Sequence, residues 1–482
     1  MQITSKSVAS NLIWRFLERC GAQGVTFVVS IILARLLDPE VYGTIALVTV
    51  FITILNVFVD SGFGTALIQK KDADDTDFST VFYFNIVFSI ILYLLMFFAA
   101  PLIARFYENP DLILITRVLS LSILISGARN VQQAYVSKKL MFKKFFSVTL
   151  ISSILSGILG IVLAYLGFGI WALVWQSVFS SVASVIALWA IVDWRPKLLF
   201  SFARLKCLFS FGWRLLVSAL IDTIYNDLRT LIIGKMYSSA DLAFYNKGRT
   251  FPNMITTNIN SSIDSVLLPT MSSVQDSKDS VKAMTRRAIK TATYVMMPMM
   301  MGLAVCAEPF VRLLLTDKWL PCVPYLRIFC FVFAFFPIQT ANLNAIKAMG
   351  RSDLFLKLEI IKKAIGLVLL FSSMWHSVMA MAYTLIISTI LGQIINAWPN
   401  KKLMGYSYLE QLKDISENIV LSLVMGAAVY LLSLLALPSF IILILQIICG
   451  VTIYVAGSML FKIETFGYIL KIIQSFIKRK KA

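Results

Sequence analysis

The chain has 482 residues, 59% hydrophobic and 14% charged, with a mean hydropathy of +0.81 and a formal net charge of +19. A soluble domain keeps far more charge on its surface, so this composition excludes a soluble enzyme or binding module. Apolar runs of about 20 residues recur from end to end, each able to cross a hydrocarbon core of roughly 30 Å as a helix.

The first apolar stretch is broken by Arg15, Glu18 and Arg19. A cleavable signal peptide needs an uninterrupted apolar core, so none is expected. The predicted membrane helices cover 11–34, 41–64, 81–104, 112–135, 145–166, 170–192, 208–233, 243–267, 288–313, 323–348, 356–374, 378–397, 419–435 and 439–460, fourteen in all. The seventh and eighth differ from the others. Arg214, Ser218, Asp222, Tyr225 or Asn226, and Arg229 recur every three or four residues, as do Arg249, Asn253, Thr256 or Thr257, Asn260 and Asp264. That spacing puts each set on one helix face. A charge at mid-bilayer costs roughly 3 kcal/mol or more, so these faces are expected to line a protein interior or a wet cavity.

Charge sets the expected orientation. With the N-terminus in the cytoplasm, the inside segments hold thirty Lys and Arg and the outside segments five. This positive-inside bias predicts an even helix number and two cytoplasmic termini. The net charge is then a topology feature and gives no reason to expect nucleic acid. The C-terminal KRKK is expected to rest on anionic headgroups.

A weak repeat underlies the helices. Trp14-Arg15 answers Trp213-Arg214, the segment 32–43 answers 232–243, and Asp60-Ser61 answers Asp264-Ser265. The predicted organisation is an N-lobe of six helices over 1–192, a cytoplasmic linker over 193–207, a C-lobe of six over 208–400, and two further helices with a basic tail over 401–482. An even number of helices per lobe gives the lobes one orientation about an axis along the membrane normal, as in some transporters.

Enzyme chemistry finds little footing. The run Asp72–Asp75 resembles a metal-binding DxD but has no supporting domain, and a solvated loop is expected there. There is no P-loop and no nucleophile–base constellation. The six cysteines show no CxxC pair, and one histidine, His376, makes neither a metal site nor a proton relay.

Intramembrane charge remains. The bases are Arg15, Arg19, Arg117, Arg129, Arg214, Arg229, Lys247, Arg249 and Arg327; the acids are Glu18, Asp60, Asp222, Asp227 and Asp264. Some of these are expected to be structural ion pairs. Arg15 with Asp60, and Arg214 with Asp264, would make one latch per lobe. The surplus of cations predicts an anionic passenger, and the arginine fork suits phosphate oxygens.

The segments SIILARLLDPEVYGTIALV (30–48), DSGFGTALIQKKD (60–72) and NPDLILITRVLSLSILISGARNVQQAYVSKKLMFKK (109–144) resemble the Wzx-type polysaccharide flippases, in their colanic- and teichuronic-acid-like branch. These belong to the multidrug/oligosaccharidyl-lipid/polysaccharide exporter superfamily. The resemblance implies an all-α, MATE-like fold of twelve to fourteen helices in two lobes, alternating access in a bacterial inner membrane, and no enzymatic activity. The implied cargo is an undecaprenyl-pyrophosphate-linked oligosaccharide. No cofactor is implied beyond coupling to a proton or sodium gradient, with Glu18, Asp60, Asp222, Asp227 and Asp264 as candidates. The cationic residues that would meet the cargo are Arg15, Arg19, Arg129, Arg214, Arg229, Lys247 and Arg249. Implied partners are membrane lipids, a polysaccharide polymerase and a chain-length regulator.

Other readings were weighed against this one. An organic-cation antiporter of the same superfamily should carry a cavity rich in acids, which the excess of Arg and Lys disfavours. A membrane glycosyltransferase or polymerase usually needs a sizeable loop outside the membrane. A passive scaffold of an assembly complex would need no polar stripes.

Overall fold

The computed structural model describes residues 21, 23–60, 62–435 and 437–479. Helix α1 runs over Gln23–Leu36. It is followed by α2 (Pro39–Asp60), α3 (Phe63–Gln69), α4 (Asp75–Phe106), α5 (Leu112–Leu119), α6 (Leu121–Lys138), α7 (Phe142–Tyr165), α8 (Ile170–Ile191), α9 (Phe202–Met236) and α10 (Ser239–Ser272). Then come α11 (Lys278–Val305), α12 (Ala307–Leu315), a 3-10 turn (Asp317–Cys322), α13 (Val323–Ala334), α14 (Phe336–Ala348), α15 (Ser352–Ser373), α16 (Val378–Met404), α17 (Tyr408–Leu432), α18 (Ser439–Leu460) and α19 (Glu464–Arg479).

Among the described residues there is no strand. Ten of the described helical segments are long and apolar enough to span a membrane, or eleven if the bent α9 is one span. The chain is therefore an all-α, multi-pass membrane protein. The polar helices α10 and α15 are not among the ten. In α15 the first three turns carry Lys357, Glu359, Lys362 and Lys363, and Glu359 and Lys362 pair at 2.6 Å. Four predicted spans are broken in the structure. The second stops at Asp60 and resumes at Phe63, and the fourth divides at Ser120 into α5 and α6. The ninth divides at Cys306 into α11 and α12, and the tenth at Phe335 into α13 and α14. The helix α19 was not predicted.

The described residues fall into two compact units, one up to Ala243 and one from Phe244 onward. The sequence repeat puts the lobe boundary at 193–207, so α9 belongs by sequence to the second lobe but packs within the first unit. Its packing explains this. The helix bends by 52° between Phe202–Ser210 and Gly212–Met236. At the bend its backbone meets the break after α2, where a β-carbon on Gly212 would stand 2.9 Å from the Gly62 carbonyl carbon. Only glycine permits that backbone approach. Near the other end of α9, Lys235 pairs with Glu108 at 2.8 Å.

The linker is tightly held by the first unit. Trp194 is buried, stacked on Tyr135 with ring centroids 5.9 Å apart, and it tilts against Phe78. Gln132 Nε2 donates to the Trp194 carbonyl at 3.0 Å, and the Lys197 and Ser201 amides donate to Ser79 and Thr80. The acidic run supplies the rest. Asp74 caps α4 in a reciprocal box with Asp77. Asp75 accepts from Trp194 Nε1 at 3.2 Å and pairs with Lys197 at 2.6 Å. Arg204 binds Asp74, and Asp77, fully buried, pairs with Lys70 at 2.6 Å. The Arg204 guanidinium and the cap bond hold the Asp74 carboxyl down at about 2. The run 72–75 lies where a solvated loop is expected, with Asp72 and Asp74 exposed, and Asp74 and Asp75 also serve as helix cap and clamp.

Asp77→Ala removes both the buried partner of Lys70 and half of the cap, at a cost of about 1–3 kcal/mol. Trypsin is expected to cut the Lys197–Leu198 bond several-fold faster in this variant than in wild type. Equal rates would mean that the clamp does not hold the linker.

The second unit has a core of Met271, Val281, Ile289, Met297, Ile338, Ala345 and Ile415, closed by the buried Tyr406. The Tyr406 hydroxyl donates to Asp414 at 2.8 Å, and Arg286 pairs with the same carboxylate at 2.5 Å.

Candidate functional site

In the first unit the polar atoms gather at the end of α2. Asn56 and Asp60 lie one turn apart and share a face. The facing helix α6 supplies Arg129, the cation that acts electrostatically on Asp60, and Asn130, whose amide donates to the Val59 carbonyl. Arg129 Nε and Asn56 Oδ1 are buried and make no hydrogen bond among the described residues. A buried polar atom left unmatched costs roughly 1–3 kcal/mol, so both atoms have capacity for a polar ligand.

The stripe on α9 is present as a helix face. Arg214, Ser218, Asp222 and Asn226 are exposed along it at four-residue intervals, and Tyr225 and Arg229 are half-buried. Arg214 lies over the Trp213 ring at 5.8 Å. Asp222, Asp227 and Arg229 are each engaged in further contacts.

In the second unit the stripe on α10 divides. Arg249 is half-buried and makes no hydrogen bond or ion pair among the described residues. Asn253 is exposed, and Thr256 bonds back to Pro252. Asn260 is 7% exposed, with neither amide atom bonded among the described residues. Asp264 accepts from Asn344 Nδ2 at 2.7 Å. Lys247 points elsewhere. It is 6% exposed and lies 5.3 Å over the ring of the fully buried Trp319, inside the packing of α10 on the 3-10 turn.

The two units thus repeat one device. Asp60 at the end of α2 faces Arg129 on α6; Asp264 on α10 accepts from Asn344 on α14. The expected latch of Arg15 with Asp60 cannot be placed, because Arg15, Glu18 and Arg19 lie outside the described residues. Of the other charges, Arg117 stacks on Phe97 at 4.1 Å and Arg327 donates to the Ala304 carbonyl, both structural placements.

Sequence reasoning missed a set of buried amides. Asn342, Gln411 and Asn400 bond to one another at 2.7–3.0 Å, all fully buried. Gln393, Asn396 and Asn400 recur along α16 at helical spacing. That pattern was readable, but attention to formal charge passed over it. Among the described residues no three His, Cys, Asp or Glu come together as metal ligands.

Comparison with known proteins identifies the class. Over 94% of its length the chain superposes on 98% of the lipid II flippase MurJ in an inward closed conformation, with a TM-score of 0.76 and 17% identity. At that identity the likeness establishes the fold. A family model described as polysaccharide biosynthesis protein matches residues 32–324, more than half of the chain. The protein therefore belongs to that polysaccharide biosynthesis family. Its relatives include the teichuronic acid biosynthesis protein TuaB of Bacillus subtilis, 25% identical over 78% of this chain and 79% of TuaB. The lipopolysaccharide biosynthesis protein WzxC of Escherichia coli is 23% identical over 88% of this chain and 87% of WzxC.

Proposed function

We propose that this protein is a flippase that carries an undecaprenyl-pyrophosphate-linked oligosaccharide from the inner to the outer leaflet of a bacterial inner membrane. The observation that carries the reading is a pair of arginines with hydrogen-bonding capacity to spare. Arg129 in the first unit has a buried Nε without a hydrogen bond, and Arg249 in the second has no ionic partner among the described residues. A guanidinium kept in a membrane helix with donors unfilled is costly unless an anion uses them. Pyrophosphate supplies oxygens in the matching geometry. Membership in a polysaccharide biosynthesis family and a fold shared with a lipid II flippase support the same cargo class.

In this reading the first unit offers the cargo Arg129, Arg214 and Arg229, the second unit offers Arg249, and Lys247 serves packing. Asp60 and Asp264 are the favoured sites for proton or sodium coupling, since each sits against a polar partner at the same place in its own unit. Both termini face the cytoplasm, as the distribution of Lys and Arg requires. A polymerase and a chain-length regulator would take the cargo once it is flipped. No covalent step is involved.

Depletion of the protein in its host tests the reading. Lipid-linked oligosaccharide is expected to accumulate on the cytoplasmic leaflet, with organic-cation efflux unchanged. Loss of cation efflux with no such accumulation would transfer the assignment to a drug antiporter.

A further inference from the structure

The helix α19 and the first half of α11 border an open cleft of about 330 Å³, all of it within the second unit. Its lining includes Arg286, Arg287, Lys290, Thr291, Thr465 and Tyr468. The volume falls at the small end of the range for ligand sites.

The walls are held in place by ion pairs. Arg286 is tied to Asp414 on α17 at 2.5 Å, and Lys290 reaches Glu464 on α19 at 3.4 Å. The third cation has no acidic partner among the described residues. Arg287 lies over the Tyr468 ring with its guanidinium carbon 5.1 Å from the centroid, a contact that occupies the face of the group and leaves the N–H edge available. Arg287 and Thr291 are one turn apart on α11, and Thr465 and Tyr468 are three residues apart on α19. Each pair therefore points to one side of its helix. Neither threonine hydroxyl has a hydrogen-bond partner among the described residues. The lining combines one unpaired guanidinium, two uncommitted hydroxyls and a net positive charge. That is the donor set that phosphate oxygens take.

We infer that this cleft binds a phosphate group, held by Arg287 and the hydroxyls of Thr291 and Thr465. It is separate from the residues assigned to the cargo. A phospholipid headgroup and a soluble phosphate ester both present this chemistry, and a basic niche beside an amphipathic helix is a setting in which anionic lipids are held. An occupant would bridge α11 to α19 and so fix the C-terminal helix against the unit.

The test uses the full chain in detergent, with phosphatidylglycerol, phosphatidylcholine and inorganic phosphate as probes. Melting midpoint and lipid retained in native mass spectra are the readouts. Phosphatidylglycerol is expected to raise the midpoint saturably. R287Q should weaken that binding at least tenfold and T465V about threefold, the second variant serving if the first does not fold. Stabilisation by phosphatidylglycerol alone would assign a lipid headgroup. Equal saturable stabilisation by inorganic phosphate, lost in R287Q, would assign a soluble phosphate. If no probe binds saturably, or binding is unchanged in both variants, the inference is wrong.

Discussion

Replacing Arg249 with alanine is expected to lower the rate of oligosaccharide-lipid movement at least tenfold without loss of fold. Arg249 makes no hydrogen bond or ion pair among the described residues, so its removal leaves no orphaned carboxylate behind. A hydrogen bond to a charged group contributes about 1.5–3 kcal/mol, and about 1.4 kcal/mol corresponds to a factor of ten. Arg249→Lys keeps the charge but not the fork and should fall between the two. Lys247→Met, two residues away, should behave in the opposite way. Its ammonium lies over Trp319 within the packing, so transport should survive while the melting midpoint shifts. Initial transport rates and melting curves for the three variants decide this. If Arg249→Ala moves cargo at the wild-type rate, the arginine is not on the path.

Gly43→Ala is expected to be the most damaging single methyl in the first unit. A β-carbon at Gly43 would stand 2.5 Å from the carbonyl carbon of Ser239 and 2.9 Å from its Cα. Both are backbone atoms and cannot turn aside, so α2 would have to back away from the turn between α9 and α10. Overpacking of this kind costs about 1–3 kcal/mol. The loss should be clear beside Gly302→Ala, where a β-carbon meets no atom within 4 Å. Thermal melting of the two purified variants is the check, and equal midpoints would contradict the close approach.

That glycine also shows how much could be read from the chain. The segment DPEVYG was legible as a family mark, but its cause lies in a contact 196 positions away, which no local pattern reports. Hydropathy placed the ten apolar spans because each is long and nearly free of charge; the charged α10 and α15 fall outside that set. It could not show the break after Asp60 or the bend in α9, since both depend on glycine backbones meeting. Helix periodicity found the stripes on α9 and α10 but not their division. Lys247 and Arg249 are two residues apart, so they point to different sides of α10; only the packing of Trp319 shows which side is covered. The acids of 72–75 and the amides of α16 were visible as residues, but their roles depend on partners distant in sequence. The amphipathic α19 is apolar on one face only, so hydropathy alone does not mark it.

The most direct measurement is transbilayer movement of a polyprenyl-pyrophosphate-linked oligosaccharide in proteoliposomes holding the purified protein. Movement that requires the protein and the pyrophosphate group is the predicted result. Protein-dependent movement of organic cations, with the oligosaccharide-lipid left in its original leaflet under imposed proton and sodium gradients, would contradict the flippase assignment.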